Sequence, residues 1–190
     1  SLLRHGYIAS PYSIWQNIFK LTPAHYLKFT ADDLNPHEIC YWSLTSIVEQ
    51  SQQNRLAITD EQAINELEAL LTESIKNQLI SDVPLGALLS GGIDSSLVVA
   101  LIQKVSQQPV KTFSIGFDDT AFDESKHAEA VARHLGTDHT TLIMTPADLL
   151  ELVPEIAKVY EEPFADSSQL PTTLVCRLAK QHVTVALSGD

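Results

Sequence analysis

Seven consecutive residues combine the side chains that binding of a phosphate group and its metal ion would require. They lie between a short apolar run and an amphipathic stretch, and they read Ser90-Gly91-Gly92-Ile93-Asp94-Ser95-Ser96. Glycine adopts backbone angles that other residues avoid, so its N–H group can approach an anion closely. Serine hydroxyls add short hydrogen-bond donors, and a helix that begins here would add free N–H groups. The pattern therefore indicates a phosphate-binding loop.

Asp94 is the one acidic residue in this loop, and on its own it would repel a phosphate. It therefore indicates a Mg²⁺ ion that bridges to phosphate oxygens. The loop is not a Walker A motif, because it has no Gly-Lys-Ser/Thr sequence to place a lysine on the β- and γ-phosphates. It also lacks the GxGxxG pattern. The alternative interpretation is a tight strand-to-helix turn that is rich in small residues and binds nothing.

Strands and helices alternate on both sides of this loop. Apolar or alternating runs predict strands at 85–89, 110–117, 140–144 and 183–187. Periodicity and capping signals predict helices that begin near Thr59, Ser95, Asp123, Thr145 and Thr172. Strands that alternate with helices of about 10–15 residues indicate βαβ units. The predicted fold class is α/β, a parallel sheet with helices on both faces, preceded by a short β-rich segment.

Individual residues are expected to shape these helices. Gly136 should end the helix that Asp123 begins. The inward face of that helix is predicted at His127, Ala130, Val131 and Leu135. Pro154 should kink or interrupt the helix that begins near Thr145. Cys176 lies among apolar residues and is predicted to pack in the core.

Residues 1–57 differ in composition from the rest of the chain. Prolines at 11, 23 and 36 separate short apolar and aromatic runs, which favours strands and turns over helix. The segment 49–54 is polar and lacks periodicity, so it is a candidate linker. We therefore place one domain at 1–57 and the α/β domain at 58–190.

The distribution of charge restricts the partners of the protein. The net charge is -12, and the whole excess lies in residues 58–190, because residues 1–57 carry four cations and four anions. Such a field repels nucleic acid and anionic lipid, so we expect small-molecule substrates, with a homodimer as a possible assembly. The chain has no apolar run of the roughly 18–20 residues that a membrane span needs.

The cysteines and histidines give weaker indications. Cys40 and Cys176 show no CxxC or zinc spacing, which is typical of reduced thiols and a cytoplasmic protein. His127, His134 and His139 could form a metal site, or they could be partly buried or capping residues. The chain begins at Ser1 and stops at Asp190, directly after an apolar run. We therefore expect it to be a segment of a longer protein.

Four segments resemble one enzyme family, in the same order along the chain. SGGIDSS is similar to the pyrophosphate-binding loop of ATP pyrophosphatases, which cleave ATP to AMP and pyrophosphate. The synthetase domain of glutamine-dependent asparagine synthetases is resembled by LLSGGIDSS (88–96), FSIGF (113–117), EEPFADSS (161–168) and ALSGD (186–190). Residues 1–30 resemble the end of that family's glutaminase domain. The resemblance implies an adenine nucleotide alpha hydrolase-like (PP-loop) fold for residues 58–190.

The resemblance also implies the positions of an ATP site and its Mg²⁺. Adenine would be bound by Leu89, Ile115, Ser188 and Gly189. Pyrophosphate would be bound by Ser90, Gly91, Gly92, Asp94, Ser95 and Ser96, with Asp94 on Mg²⁺. Asp190 matches an acidic residue that would handle a proton or lie beside the metal ion.

An acidic loop is the candidate site for the second substrate. Glu161, Glu162 and Asp166 would form a wall of an amino-acid site, with Ser167 and Ser168 as hydroxyl contacts. The alternative is a solvated acidic loop without a ligand. Some members of the family have an arginine here that could pair with the substrate carboxylate, and residues 161–173 contain none.

The resemblance implies amidation of aspartate to asparagine through β-aspartyl-AMP, with release of AMP and pyrophosphate. Ammonia would come from glutamine through an amino-terminal cysteine that these 190 residues do not include, so we expect them to be inactive alone. Two alternatives stay open at this point. One is a related amidotransferase that acts on a sugar, lipid or peptide carboxylate, and the other is a nucleotide-binding module that catalyses nothing.

Overall fold

The structure is a computed structural model that describes residues 1–118 and 124–189. The chain forms two compact units. The first comprises Ser1–Ile58 and Ala157–Asp166, and the second comprises Thr59–Ile156 and Ser167–Asp190.

The first unit is built around a β-hairpin. Helix α1 (Leu2–His5) is followed by strands β1 (His25–Thr30) and β2 (Asp33–Cys40), which pair antiparallel, and then by helix α2 (Leu44–Gln53). The pairing shifts register between Lys28 and Thr30. The hairpin confirms the β-rich character that the sequence predicts for this part of the chain.

Helix α2 contains most of the candidate linker 49–54. The Oγ of Ser43 accepts a hydrogen bond from the backbone N–H of Ser46 at 3.3 Å and so caps the helix. Leu44, Ile47 and Val48 recur at helical spacing, and the Glu and Gln residues that follow are good helix formers. Because these residues are exposed, their polar composition alone could not separate a surface helix from a linker.

The second unit is a parallel sheet of four strands in the order β5-β4-β3-β6. Its elements are α3 (Asp60–Gln78), β3 (Leu85–Leu88), α4 (Ile93–Val105), β4 (Lys111–Phe117), α5 (Ser125–Leu135), β5 (Asp138–Met144), α6 (Pro146–Val159), α7 (Gln169–Lys180) and β6 (Val185–Leu187). Strand β3 lies between β4 and β6, so the chain order reverses beside it. Open α/β sheets bind ligands at such a reversal, outside the carboxyl ends of the strands.

Two hydrophobic clusters cover opposite faces of this sheet. On one face, Ala87 packs with Val99 and Ile102 of α4 and with Ala132 of α5. On the other face, Phe113 packs with residues of α7, including Ala179. Alternate residues of a strand point to opposite faces, which explains why Ala87 and Leu88 belong to different clusters. The predicted α/β class, with helices on both faces of a parallel sheet, is confirmed.

Local capping signals account for several helix ends. The Oγ1 of Thr59 accepts from the Gln62 N–H at 3.2 Å, and the Oε1 of Gln62 accepts from the Thr59 N–H at 2.9 Å. These reciprocal bonds form the expected capping box at the start of α3. Gly136 ends α5 with a left-handed φ of 71°, as predicted. The predicted cap at Asp123 lies outside the described residues.

The predicted inward face of α5 is right in part, and the predicted burial of Cys176 is wrong. Val131 and Leu135 pack against the core as expected, whereas His127 and Ala130 are exposed. The buried residues of α5 are the small ones, Ser125, Ala128 and Ala132. Cys176 is exposed on α7, where Ala179 takes the buried place. Helix α6 continues past Pro154, because the carbonyl that loses its partner belongs to the exposed Leu150 and can bind water.

Candidate functional site

A cavity of about 620 Å³ opens at the carboxyl ends of β3, β4 and β6. It is lined by Leu88, Leu89, Ser90, Gly92, Asp94, Ser95, Phe113, Ser114, Ile115, Phe117, Glu124, Ser168, Pro171, Thr172, Val175, Ser188 and Gly189. All of these residues belong to the second unit. The cavity therefore coincides with the position that the strand order favours for a ligand.

Hydrogen bonds between serines fix the shape of the loop between β3 and α4. The backbone N–H of Ser90 donates to the Oγ of Ser95 at 3.2 Å, and the two hydroxyl oxygens are 2.8 Å apart. The Ser95 hydroxyl also bonds the carbonyl of Gly92 at 3.3 Å. Because Ser95 is buried while Ser90 and Gly92 are exposed, these bonds are partly shielded from water. The loop is thus shaped by its own residues before any ligand binds.

The first turn of α4 lines the cavity, so the N-terminal end of the helix, which carries a partial positive charge, lies there. Gly92 occupies the N-cap position and provides no side-chain cap. The first backbone N–H groups of a helix lack partners within the helix, and together they carry a partial positive charge. Asp94 lies in this first turn, is exposed and lines the cavity. Helix α4 therefore offers an anion-binding end beside a single carboxylate.

Gly91 shows why the loop needs glycine at one position. Its φ is +81°, and a β-carbon built on it would lie 2.7 Å from the backbone nitrogen of Ala128 in α5. Both the left-handed backbone and the contact with α5 exclude a side chain. The loop is therefore packed directly against the start of α5.

The residues predicted for the adenine lie together at the cavity. Leu89 is buried in the core, where its N–H donates to the carbonyl of Phe113 at 2.8 Å, and it also lines the cavity. Ile115, Ser188 and Gly189 line the cavity as well. Gly91 and Ser96 belong to the loop but do not line the cavity, and Asp190 lies outside the described residues.

The predicted acidic loop divides between the two units. Ser167 and Ser168 belong to the second unit, and Ser168 lines the cavity. Glu162 and Asp166 belong to the first unit. There the carboxylate of Glu162 forms an ion pair with Lys20 and accepts the N–H of Ile14 at 3.2 Å. The hydrogen bond from Lys20 lowers the pKa of Glu162.

The cavity contains residues that the sequence did not identify as a site. They are Phe113, Ser114, Phe117, Glu124, Pro171, Thr172 and Val175. Spacing gives a signal for some of them, because residues at i and i+4 of a helix share one side, as Pro171 and Val175 do on α7. Glu124 has no comparable signal in the sequence.

A polar cluster lies against the same sheet, beneath α5. The Nδ1 of His139 is 2.8 Å from the Oγ1 of Thr112, and its Nε2 is 3.1 Å from the Oγ of Ser114, which lines the cavity. Burial lowers the pKa of His139, and the charge of Glu129 opposes that change. The histidine is thus a partly buried sheet residue, one of the two alternatives that the sequence left open. The described residues contain no group of three or more His, Cys, Asp or Glu that could hold a metal ion.

The donors at the loop fit Mg²⁺ that arrives with a nucleotide. Mg²⁺ usually binds one or two carboxylates together with substrate phosphates and water, and protein side chains alone seldom enclose it. Asp94 supplies a carboxylate at the cavity, and Glu124 lines the same cavity.

Among helices of the described residues, none has the length and apolar character of a membrane span.

Two solved structures are similar to part of this chain. The chain resembles an NMN synthetase from Francisella tularensis, with a TM-score of 0.45, 20% identity and coverage of 70% of this chain and 55% of that chain. It also resembles an NH3-dependent NAD synthetase from Campylobacter jejuni, with a TM-score of 0.44, 15% identity and coverage of 70% and 58%.

Relatives with curated names are more similar in sequence. A Methanocaldococcus jannaschii protein, named among the glutamine-hydrolysing asparagine synthetases, is 37% identical over 186 residues, which are 97% of this chain and 35% of that protein. Asparagine synthetase 1 of Bacillus subtilis is 36% identical over 131 residues, which are 69% of this chain and 21% of that protein. The chain therefore spans about a third or less of the length of these relatives.

The family model for asparagine synthase matches residues 66–190. The match includes the loop 90–96 and all four strands of the parallel sheet described above. The chain belongs to the asparagine synthase family.

Proposed function

We propose that the protein containing this chain converts the side-chain carboxylate of aspartate to an amide at the expense of ATP. The observation that carries the proposal is the serine-braced loop 90–96, which lies at the start of α4 and borders a cavity at the strand ends. Membership of the asparagine synthase family supports the same reaction. In this proposal the second unit supplies the nucleotide site.

The cavity suggests where each part of ATP binds. The pyrophosphate portion lies along the loop, on Ser90, Gly91, Gly92, Ser95 and Ser96 and the free N–H groups of α4. The adenine side is bounded by Leu89, Ile115, Ser188 and Gly189. The Asp94 carboxylate holds Mg²⁺, which would neutralise phosphate charge when it is bound. The residues themselves bind and orient the nucleotide.

The proposed chemistry makes a poor electrophile reactive. The aspartate carboxylate oxygen attacks the α-phosphorus of ATP, and pyrophosphate leaves. Ammonia then attacks the acyl carbon of β-aspartyl-AMP, and AMP leaves as the amide forms and a proton is lost. Both steps depend mainly on positioning and on compensation of negative charge, which the loop and the end of α4 provide. In the whole protein the ammonia would derive from glutamine.

The acceptor side of the proposal rests on the acidic loop. Ser168 lines the cavity, and Ser167 and Asp166 precede it in the chain. We propose that these residues bound the site for aspartate. Asp190 is proposed to handle a proton or to lie beside the metal ion.

The test is pyrophosphate release from MgATP by the complete protein in the presence of ammonia, with and without aspartate. Aspartate-dependent release, with asparagine as the product, is expected. Asp94→Ala should abolish it, and Asp60→Ala is the matched control because Asp60 is also an exposed residue in the first turn of a helix. Release that is indifferent to aspartate would reject aspartate as acceptor, and no release from the folded protein would reject the reaction.

A further inference from the structure

The acidic loop has an unexpected attachment. Residues 157–166 follow most of the α/β unit in the chain, yet they belong to the first unit. Two points join them to it. The carboxylate of Glu162 pairs with Lys20 and accepts the N–H of Ile14, and the N–H of Ala165 donates to the carbonyl of Gly6 at 2.6 Å.

Lys20 is itself held in place within the first unit. Its Nζ donates to the carbonyl of Ile8 at 2.7 Å, and its backbone N–H donates to the carbonyl of Pro11 at 2.8 Å. The cation therefore has a fixed position that does not depend on Glu162 alone. A charge whose position is fixed loses less conformational entropy when it forms an ion pair.

The contacts of Glu162 leave it poorly suited to bind a substrate. Its side chain is 19% exposed, and its oxygens take both the ammonium group of Lys20 and the N–H of Ile14. A ligand that used this carboxylate would have to displace a charged donor.

We propose that Lys20 and Glu162 form an anchor that fixes the conformation of the acidic loop 161–166 and, along the chain, of the residues that follow it and bind the carboxylate acceptor. Glu162 is then a positioning residue, and the loop that it fixes leads directly into Ser167 and Ser168. This inference rests on the proposed function, because the acceptor is the substrate of that reaction.

The kinetic experiment uses charge exchange in the complete protein. Lys20→Met and Glu162→Gln should each raise the KM for aspartate by about three- to five-fold, which is the scale of a partly exposed ion pair, and leave the KM for ATP unchanged. The exchange of charges in Lys20→Glu/Glu162→Lys should recover most of the loss relative to Glu162→Lys. A substrate-binding role would leave the exchanged protein as defective as Glu162→Lys and would overturn the proposal.

Two further variants guard against a general loss of folding. Lys20→Arg keeps the charge and should stay close to the wild type. Lys28→Met removes another exposed cation of the first unit, on β1, and should leave both KM values unchanged. If Lys28→Met raised the KM for aspartate as much as Lys20→Met does, that result would show a general effect of charge. It would overturn the proposal that Lys20 and Glu162 form an anchor.

Hydrogen exchange tests the anchor without turnover. The amide hydrogens of Ile14 and Ala165 should exchange faster in Lys20→Met. In the exchanged pair only Ala165 should exchange more slowly again, because a lysine at position 162 offers no acceptor to the N–H of Ile14. Unchanged exchange would overturn the anchor whatever the reaction proves to be. Faster exchange in a protein that never uses aspartate would keep the anchor and reject the proposed function, so the two failures are distinguishable.

Discussion

A β-carbon added to Gly189 would lie 2.5 Å from the backbone nitrogen of Ser95. Gly189 follows β6, and Ser95 belongs to the first turn of α4, so two segments separated by ninety-odd residues meet there with no room for a side chain. The contact lies between backbones, which cannot move aside as a flexible side chain would. Gly189, just after β6, therefore packs directly against the first turn of α4.

Gly189→Ala should weaken ATP binding by about ten-fold or more, because overpacking of this kind costs about 1–3 kcal/mol and falls on the turn that is proposed to bind the phosphates. Calorimetric titration of the complete protein with ATP measures the effect. Gly136→Ala is the control: it strains a left-handed residue that has no atom within 4 Å of the added carbon. It should lower stability without changing the affinity for ATP, and equal losses of affinity would contradict the prediction.

Ser96→Ala should leave the free energy of unfolding unchanged or slightly higher. The Oγ of Ser96 is shielded from solvent and lacks a hydrogen-bond partner within the described residues, so its removal relieves a cost. ATP affinity should nevertheless fall by about ten-fold, because a hydroxyl bond to a charged group is lost. Chemical denaturation and nucleotide titration give the two values.

Ser95→Ala is the comparison for this result, since the Ser95 hydroxyl bonds both Ser90 and Gly92. Its removal should destabilise the protein by about 1–3 kcal/mol. If Ser96→Ala destabilised the protein to the same degree, the Ser96 hydroxyl would have a structural partner, and the interpretation would fail.

The stability of the protein should depend on the protonation of His139 in acid. Burial lowers its pKa below the ordinary value of 6.5, so the unfolded chain binds a proton at a higher pH than the folded protein does. The free energy of unfolding should therefore fall as the pH falls below 6.5, down to the folded pKa.

His139→Asn removes the titrating group and should cost about 1–3 kcal/mol at neutral pH through lost hydrogen bonds. The difference from wild type should then shrink as the pH is lowered. Denaturation curves at a series of pH values measure it, and the six other histidines cancel because both proteins contain them. A difference that stays constant with pH would show that His139 contributes no such dependence.

Thr59→Ala removes one half of the capping box and leaves a helix N–H without its partner. It should cost about 0.5–2 kcal/mol of stability, with a Tm lower by a few degrees. Thr59→Ser keeps the accepting oxygen and should lose much less. Thermal unfolding checks both, and equal losses would assign the effect to the methyl group of Thr59 instead of the cap.

The sequence predicted the features that depend on neighbouring residues. The loop 90–96, the capping box at Thr59 and the left-handed Gly136 each follow from a short pattern with a local physical cause. The parallel sheet followed from alternation of such patterns along the chain. These features are therefore accessible without knowledge of distant contacts.

The remaining features depend on contacts between distant segments. Cys176 is exposed although its neighbours are apolar, because the sheet selects the side of α7 that carries small residues. The contact of Gly91 with Ala128 and that of Gly189 with Ser95 join segments whose approach no periodicity encodes. The partner of Glu162 was missed for the same reason, since Lys20 lies more than a hundred residues earlier.

Because residues 157–166 belong to the first unit, segments of the two units alternate along the sequence. A single crossover after residue 58 would combine Lys20 of one parent with Glu162 of another. Hybrids between distant members of the family would then inherit mismatched halves of one contact, even if each parent folds well. Productive exchange of the first unit therefore requires three junctions, after residues 58, 156 and 166, or parents that are matched at both positions.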